Sequence, residues 1–210
     1  MFAAPDTFGI ASRLQGAARL TARLALGVVL LLPLGVRTQE AGWSVGFYAG
    51  QYYDTEPAGI IKGDASFLPQ YLVALTASRP VWRSERWPLS LEIDIVLGQQ
   101  FGLASLTEVA AAPALRWSGF PWNDSLPTAL RVAPLGISHT SSVSPLERGV
   151  NNAGDHTLNF LLIELAFAAP QQRDHEFFVR LHHRCTIYDL LNNYGANGED
   201  FLTFGFRRPF

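Results

Sequence analysis

Long stretches of this chain alternate apolar and polar residues at every second position, and this pattern most constrains its fold. In "PLSLEIDIVLGQQFG" five aliphatic residues share one face: Leu89, Leu91, Ile93, Ile95 and Leu97. A period of two is typical of a β-strand with two different faces. Eight such segments are predicted, at about 42–53, 67–82, 88–102, 106–118, 127–142, 156–170, 175–189 and 200–210. Each has the roughly 9–11 residues that a tilted strand needs to cross a bilayer.

The connections between these segments are of two kinds. Those after the first, fifth and seventh segments are long, whereas "RSERW" and "PQQRD" after the second and sixth are short. This order favours an outer-membrane barrel with long external loops and short periplasmic turns. The links "LAS" and "GFPWNDSL" depart from it. Because sheet edges are unsatisfied in lipid, the predicted fold is a closed, all-β, eight-stranded antiparallel barrel with a lumen filled by side chains.

A secreted soluble sandwich or lipocalin-like barrel would also show alternation. Its outward polar faces should be rich in lysine and glutamate, but this chain has a single lysine, Lys62, and only 16% charged residues. The polar faces carry glycine, serine, glutamine and a few charges instead. Acid–arginine pairs that fill a narrow lumen explain these charges. The residues predicted to point inward are Glu92, Asp94, Glu108, Arg116, Glu164, Arg180 and Arg184.

The first forty residues have the pattern of a signal peptide. Arg13, Arg19 and Arg23 precede the apolar run "LALGVVLLLPLG". A basic stretch followed by about a dozen apolar residues is typical of secretion, and the run is shorter than the roughly 20 residues of a membrane anchor. We expect residues 1–40 to be the signal peptide and leader, with cleavage near Thr38 or Ala41, and residues 41–210 to form the barrel.

The last segment, "FLTFGFRRPF", alternates and ends in phenylalanine. An aromatic terminus on an alternating strand resembles the signature by which outer-membrane proteins are recognised for assembly. The assembly machinery of the outer membrane is therefore an expected partner. A nucleic-acid partner is not expected, because the net charge of the chain is -2 and no basic field is present.

The seventh segment contains "RLHHRCTIYD", with two histidines before the only cysteine of the chain. Strand parity places His183, Cys185 and Ile187 with the apolar residues that face lipid, near the external end of the strand. His182 falls on the opposite face with the arginines. Adjacent strand residues point to opposite faces, so the two histidines cannot share a metal ion. No metal or other cofactor is expected.

An acid on the next strand completes this group. By the parity of Leu202 and Phe204, Asp200 lies on the lipid-facing side near the outer rim, beside His183 and Cys185. A nucleophile, an imidazole base and a carboxylate that orients the base are the recurring groups of acyl transfer. The alternative for His183 is structural: the hydrocarbon zone ends near Leu181, and the imidazole lies among headgroups.

The motif His183-Arg184-Cys185, with the segment Asn197-Gly198-Glu199-Asp200, resembles the lipid A 3-O-deacylase (PagL-type) family of small outer-membrane barrels. That family has a His-x-Ser motif on its seventh strand and an acid shortly downstream. The resemblance implies hydrolysis of an acyl ester of lipid A, with lipopolysaccharide as partner. It implies Cys185 as nucleophile, His183 as base, and Asp200, or alternatively Glu199, as acid.

The chain departs from the family at several positions. Cysteine stands in place of the family's serine, and Thr186 in place of an asparagine that helps to bind the oxyanion. Thr186 and Asn197 are the candidates for positioning the oxyanion or substrate. The competing hypothesis is a non-catalytic small barrel with a structural or ligand-binding role. It predicts that His183 and Cys185 face the lumen, or that no carboxylate approaches His183.

Overall fold

The computed structural model describes residues 42–54, 60, 62–148, 152–187 and 198–210. Within these residues no helix is long and apolar enough to span a membrane. The predicted signal peptide, 1–40, lies outside the described residues and stays a prediction.

The described residues form nine strands and one short 3-10 helix. The strands are β1 (Ser44–Tyr53), β2 (Phe67–Arg83), β3 (Leu89–Gly102), β4 (Leu106–Trp117), β5 (Thr128–Ala133), β6 (Ile137–Thr140), β7 (Thr157–Ala169), β8 (Gln172–Cys185) and β9 (Glu199–Pro209). The 3-10 helix, Pro145–Glu147, lies between β6 and β7. The eight predicted segments correspond to these strands, with β5 and β6 both lying in the fifth.

Neighbouring positions of the ring pair antiparallel, and the sheet closes on itself. β1 pairs with β2 on one side and with β9 on the other. β5 and β6 follow one another between β4 and β7, so they occupy one position of the ring. The chain is therefore an eight-stranded antiparallel barrel, and the predicted fold class is confirmed.

The prediction of one unbroken strand over 127–142 is wrong, because Pro134, Leu135 and Gly136 separate β5 from β6. Proline cannot donate a ladder hydrogen bond. At Gly136 a Cβ would lie 2.7 Å from Ala112 Cβ and 2.7 Å from the Phe160 carbonyl oxygen. Only glycine fits at this close approach, and the strand bends there.

The two faces of the barrel have opposite character. The outer wall exposes large apolar side chains, among them Phe47, Val73, Leu97, Val109, Leu115, Phe177 and Phe204. A soluble protein rarely exposes so continuous an apolar surface. The wall therefore suits the hydrocarbon of a bilayer, as predicted, rather than water.

The lumen is filled by charged side chains, also as predicted. Arg131 and Arg180 are fully buried and each contacts Asp94 and Glu164. Arg116 and Arg207 both pair with Glu176. Buried charges are costly unless paired and hydrogen-bonded. The pairing across strands meets this requirement and leaves the barrel packed with side chains.

The longest connections meet at one end of the barrel. They link β1 to β2, β6 to β7 and β8 to β9, whereas β7 and β8 are joined at the other end by the two residues Pro170 and Gln171. In outer-membrane barrels the longer loops are external. The outer ends of β8 and β9 are thus the end of β8 at Cys185 and the start of β9 at Glu199.

Candidate active site

His183, Cys185 and Asp200 come together on the outer wall because of strand alternation and register. His183 and Cys185 are two residues apart on β8, so their side chains leave the same face. β8 pairs antiparallel with β9, and His183 lies directly opposite Asp200. Neither feature of the competing hypothesis is found: the three side chains share the outer face, and a carboxylate approaches His183.

The imidazole and the carboxylate form a direct hydrogen bond. His183 Nδ1 lies 2.7 Å from Asp200 Oδ1, and the two side chains are 17% and 14% exposed. The side chain of Cys185 leaves the same face of β8 and interacts with the same imidazole. Because Asp200 occupies Nδ1, the His183 Nε2 atom remains for the thiol. The tautomer with the proton on Nδ1 satisfies both contacts.

This order of groups is suited to nucleophilic catalysis. The carboxylate orients the imidazole, and the imidazole can accept a proton from the thiol and return it to a leaving group. The thiolate, not the thiol, is the reactive form of cysteine. Partial burial limits access of water to the three groups while leaving the sulfur open to the outer surface.

Glycine next to the site provides space for the imidazole. Gly198 precedes the start of β9, and a Cβ at this position would lie 2.6 Å from the Arg184 carbonyl oxygen and 3.3 Å from His183 Cε1. Any larger residue would have to displace the backbone of β8 or the His183 ring.

The sequence prediction missed two neighbours of the site. Tyr53, at the end of β1, is fully buried and its hydroxyl donates to Asp200 Oδ1 at 3.4 Å. Asn159 of β7 lies opposite Cys185, with Nδ2 3.6 Å from the sulfur. Asn159 had a visible signal, since it is an amide among the outward-facing residues Leu161 and Ile163. The position of Tyr53 beside Asp200 depends on the register between β1 and β9, and alternation alone does not determine that register.

Two expected contributors differ from the prediction, and a third is not tested. Glu199, the alternate acid, points into the lumen, because adjacent residues of a strand face opposite sides and Asp200 points outward. There Gln100 Nε2 donates a hydrogen bond to Glu199 at 3.0 Å. Thr186 lies beyond the end of β8 and is half-buried; the N–H groups near the sulfur belong to Asn159 and Ile187 instead. Asn197 lies outside the described residues and stays a prediction.

The predicted seventh segment, 175–189, is also corrected at its outer end. β8 ends at Cys185, and Ile187 has a φ of 40°, in the left-handed region that a β-branched residue rarely adopts. Ile187 therefore does not continue the lipid-facing row of β8.

Two other histidines, His182 and His139, are accounted for by local contacts. His182 is fully buried in the lumen, where Nδ1 meets the Tyr48 hydroxyl at 2.9 Å and Nε2 meets Glu108 at 3.0 Å. The barrel wall thus separates it from His183, as predicted. His139 lies on the exposed face of β6, with Nδ1 2.9 Å from Thr157 Oγ1.

Comparison with known proteins shows which solved structures have a similar fold. No protein-family model matches the chain, and no curated protein matches it in sequence. Among solved structures, the outer membrane enzyme PagL is similar, with a TM-score of 0.57 and 15% identity over 80% of this chain and 99% of that chain. Neisserial surface protein A follows, with a TM-score of 0.47 and 11% identity over 80% and 97%.

At such low identity the likeness to PagL shows the fold and nothing finer. The closed barrel, its apolar outer wall and its likeness in fold to PagL, an outer membrane enzyme, together place this chain in the outer membrane. The predicted localisation is confirmed. The chemistry of the site rests on its own residues.

Proposed function

We propose that this protein is an outer-membrane acyl-ester hydrolase that removes an ester-linked acyl chain from lipid A, as the His183-x-Cys185 resemblance implies. One observation carries the proposal. A carboxylate, an imidazole and a thiol lie in catalytic order on the outer wall. There they meet the acyl region of the outer leaflet, where polar side chains are costly without a role.

The residues have distinct roles in two half-reactions. His183 accepts the proton of Cys185 as the sulfur attacks the ester carbonyl carbon, and Asp200 stabilises the imidazolium. The ester C–O bond breaks, and the departing sugar oxygen takes the proton from His183. A thioester joins the acyl group to Cys185. Water then attacks its carbonyl with His183 as base, the C–S bond breaks, and the thiol regains its proton as the fatty acid leaves.

An apolar groove next to the site supports a lipid substrate. The groove has a volume of about 450 Å³ and is lined by Ala49, Val73, Phe101, Leu202 and Phe204 among others. Leu202 lies two residues beyond Asp200 on the same face of β9, so the groove starts beside the candidate acid. Its lining also includes the aromatic side chains of Phe67 and Tyr71. An acyl chain in this groove would keep its ester end near His183.

The decisive experiment measures release of fatty acid from purified lipopolysaccharide by the refolded protein. We expect the wild type to release 3-hydroxy fatty acid. Cys185→Ala should reduce release to background, and His183→Ala should reduce it about 10²–10⁴-fold, the usual contribution of a general base. His139→Ala is the matched control, because His139 is another exposed histidine on the external part of the wall, and it should leave the rate unchanged.

Two outcomes would overturn the proposal. Absence of release by the folded wild type would favour the non-catalytic barrel, in which external loops bind a ligand. Undiminished release by His183→Ala would place the chemistry elsewhere. Migration of the unheated protein on gels, which distinguishes folded from unfolded barrels, serves to normalise each rate to the folded fraction.

A further inference from the structure

We propose that Asn159 of β7 is a positioning residue for Cys185, and that its amide and the backbone N–H of Ile187 hold the sulfur in its attacking, anionic form. This deepens the proposed function and rests on it for the catalytic consequence. The effect on the sulfur itself can be measured without any substrate.

The first support is that Asn159 is a buried amide on the outer face of β7, where apolar side chains are expected. By alternation its side chain leaves the outer face of β7, directly opposite Cys185. It is nevertheless only 2% exposed, because the bend between β5 and β6 covers it. An amide buried in this way must find hydrogen-bond partners or lose free energy.

The second support is that the partners of Asn159 fix the orientation of its amide. Oδ1 accepts the backbone N–H of Gly136 at 3.0 Å, a contact that only the oxygen can make. Nδ2 lies 3.4 Å from the Pro134 carbonyl oxygen, which only a donor can approach. The amide nitrogen therefore faces the Cys185 sulfur at 3.6 Å, and the reversed amide would break both backbone contacts.

The third support is the conformation of Ile187. Its φ of 40° is strained for a β-branched residue. Its backbone N–H is a second group, on the side of β8, that favours the anionic form of Cys185. Strain of this kind is commonly found where a backbone group serves a site.

The two donors make a specific chemical difference. A buried cysteine that only fills space is a small apolar group and has no need of N–H donors. Donors within reach of sulfur favour the thiolate over the thiol.

The test is the pH dependence of Cys185 alkylation by iodoacetamide in detergent, a site-specific reaction because the chain has one cysteine. We expect Asn159→Leu, which keeps the volume and loses the donor, to move the midpoint to higher pH and to slow alkylation at neutral pH about threefold to tenfold. In the release assay kcat should fall while KM stays nearly constant.

A second variant applies if Asn159→Leu does not fold. Asn159→Asp retains an oxygen for the Gly136 N–H and replaces the donor by a carboxylate, so the midpoint should rise. Gln99→Glu, near the outer end of β3, is the matched charge control. A midpoint that is unmoved in Asn159→Leu, or that moves no further in Asn159→Asp than in Gln99→Glu, overturns the proposal.

The alkylation assay also separates this inference from the proposed function. A shifted midpoint in a protein that releases no fatty acid retains Asn159 as the positioning residue and rejects the hydrolase. If the protein releases fatty acid but the alkylation midpoint does not shift in Asn159→Leu, the proposed function stands and the positioning role of Asn159 is rejected. Asn159 would then serve only to stabilise the bend between β5 and β6.

Discussion

Two pairs of residues face each other across the outer ends of β8 and β9, one on each side of the barrel wall. His183 lies opposite Asp200, and the next pair in the ladder is Arg184 opposite Glu199. The first pair points outward and is partly exposed, with a hydrogen bond of 2.7 Å. The second points into the lumen, is fully buried, and has a looser contact of 3.7 Å.

The difference shows which charges need a functional explanation. Arg184 also contacts Glu147 and Glu108 across the lumen, so it holds several strands and the 3-10 helix together. Packing a narrow barrel accounts for such a residue. The outward pair also contacts Tyr53, but it faces the outer wall, where a hydrocarbon environment would favour an aliphatic pair. The proposed catalytic role would account for His183 and Asp200 at this position.

The largest difference between the two faces is expected when the consecutive acids Asp200 and Glu199 are neutralised one at a time. Asp200→Asn should lower fatty-acid release about a hundredfold or more, because the amide no longer orients and stabilises the imidazole. Glu199→Gln, one residue earlier, should leave the release rate unchanged. Initial rates per folded protein measure both. Equal loss in the two variants would show that the outer face has no special role.

The converse change removes the cation on the inner face. Arg184→Met should lower the free energy of unfolding by about 3–5 kcal/mol, because three glutamates would remain buried without their arginine. The rate per folded molecule should stay near that of the wild type. Urea unfolding in phospholipid vesicles measures the stability, and the release assay measures the rate. A stable Arg184→Met barrel would contradict the structural role given to this residue.

The outer end of the lumen also predicts a dependence on pH. Arg184 is surrounded by Glu108, Glu147 and Glu199, so acids outnumber arginines there. Deeper in the lumen four arginines meet four acids: Arg116, Arg131, Arg180 and Arg207 with Glu92, Asp94, Glu164 and Glu176. Burial raises the pKa of Glu147, in the external connection, to about 8; Arg184 offsets only part of this, and Glu199 adds to it.

A raised pKa means that the folded protein holds this proton more tightly than the unfolded chain. The free energy of unfolding should therefore fall as pH rises from about 4.5 to about 8, by at most about 1.4 kcal/mol per pH unit, and level off above. Glu147→Gln should remove this decline. The free energy of unfolding, measured at a series of pH values, tests this prediction. A wild-type free energy that stays constant over this range would contradict the raised pKa of Glu147.

The smallest change in stability is expected for a substitution of Ile187, the residue with the left-handed φ. Ile187→Gly should change the free energy of unfolding by no more than about 1 kcal/mol, since relief of the left-handed strain offsets the greater flexibility of glycine in the unfolded chain. The backbone N–H stays in place, so the midpoint of Cys185 alkylation should not move. A shifted midpoint would show that the Ile187 side chain, rather than its N–H, sets the environment of the sulfur.

Alternation was sufficient to predict the strands and their faces. A period of two assigns inside and outside at every position, so the opposite placement of His182 and His183 followed without any tertiary information. The bend at Pro134 and Gly136 was not predicted, because it depends on close contact with Ala112 and Phe160 from neighbouring strands. Breaks in a strand are set by packing that a single segment does not show.

The site was predicted only in part for a similar reason. His183, Cys185 and Asp200 lie on two adjacent strands near one connection, and their shared face follows from parity. Tyr53 and Asn159 come from β1 and β7, so their place beside the site depends on the register between strands. Register is fixed by the closed ladder of hydrogen bonds, which the sequence pattern leaves open.

The most direct measurement of the central claim is detection of the acyl group on Cys185. The protein is incubated briefly with lipopolysaccharide, quenched in acid and digested, and the peptide that contains Cys185 is analysed by mass spectrometry. The account predicts a hydroxyacyl adduct on this cysteine that neutral hydroxylamine removes and that is absent from His183→Ala. Release of fatty acid at an undiminished rate by Cys185→Ala would contradict it.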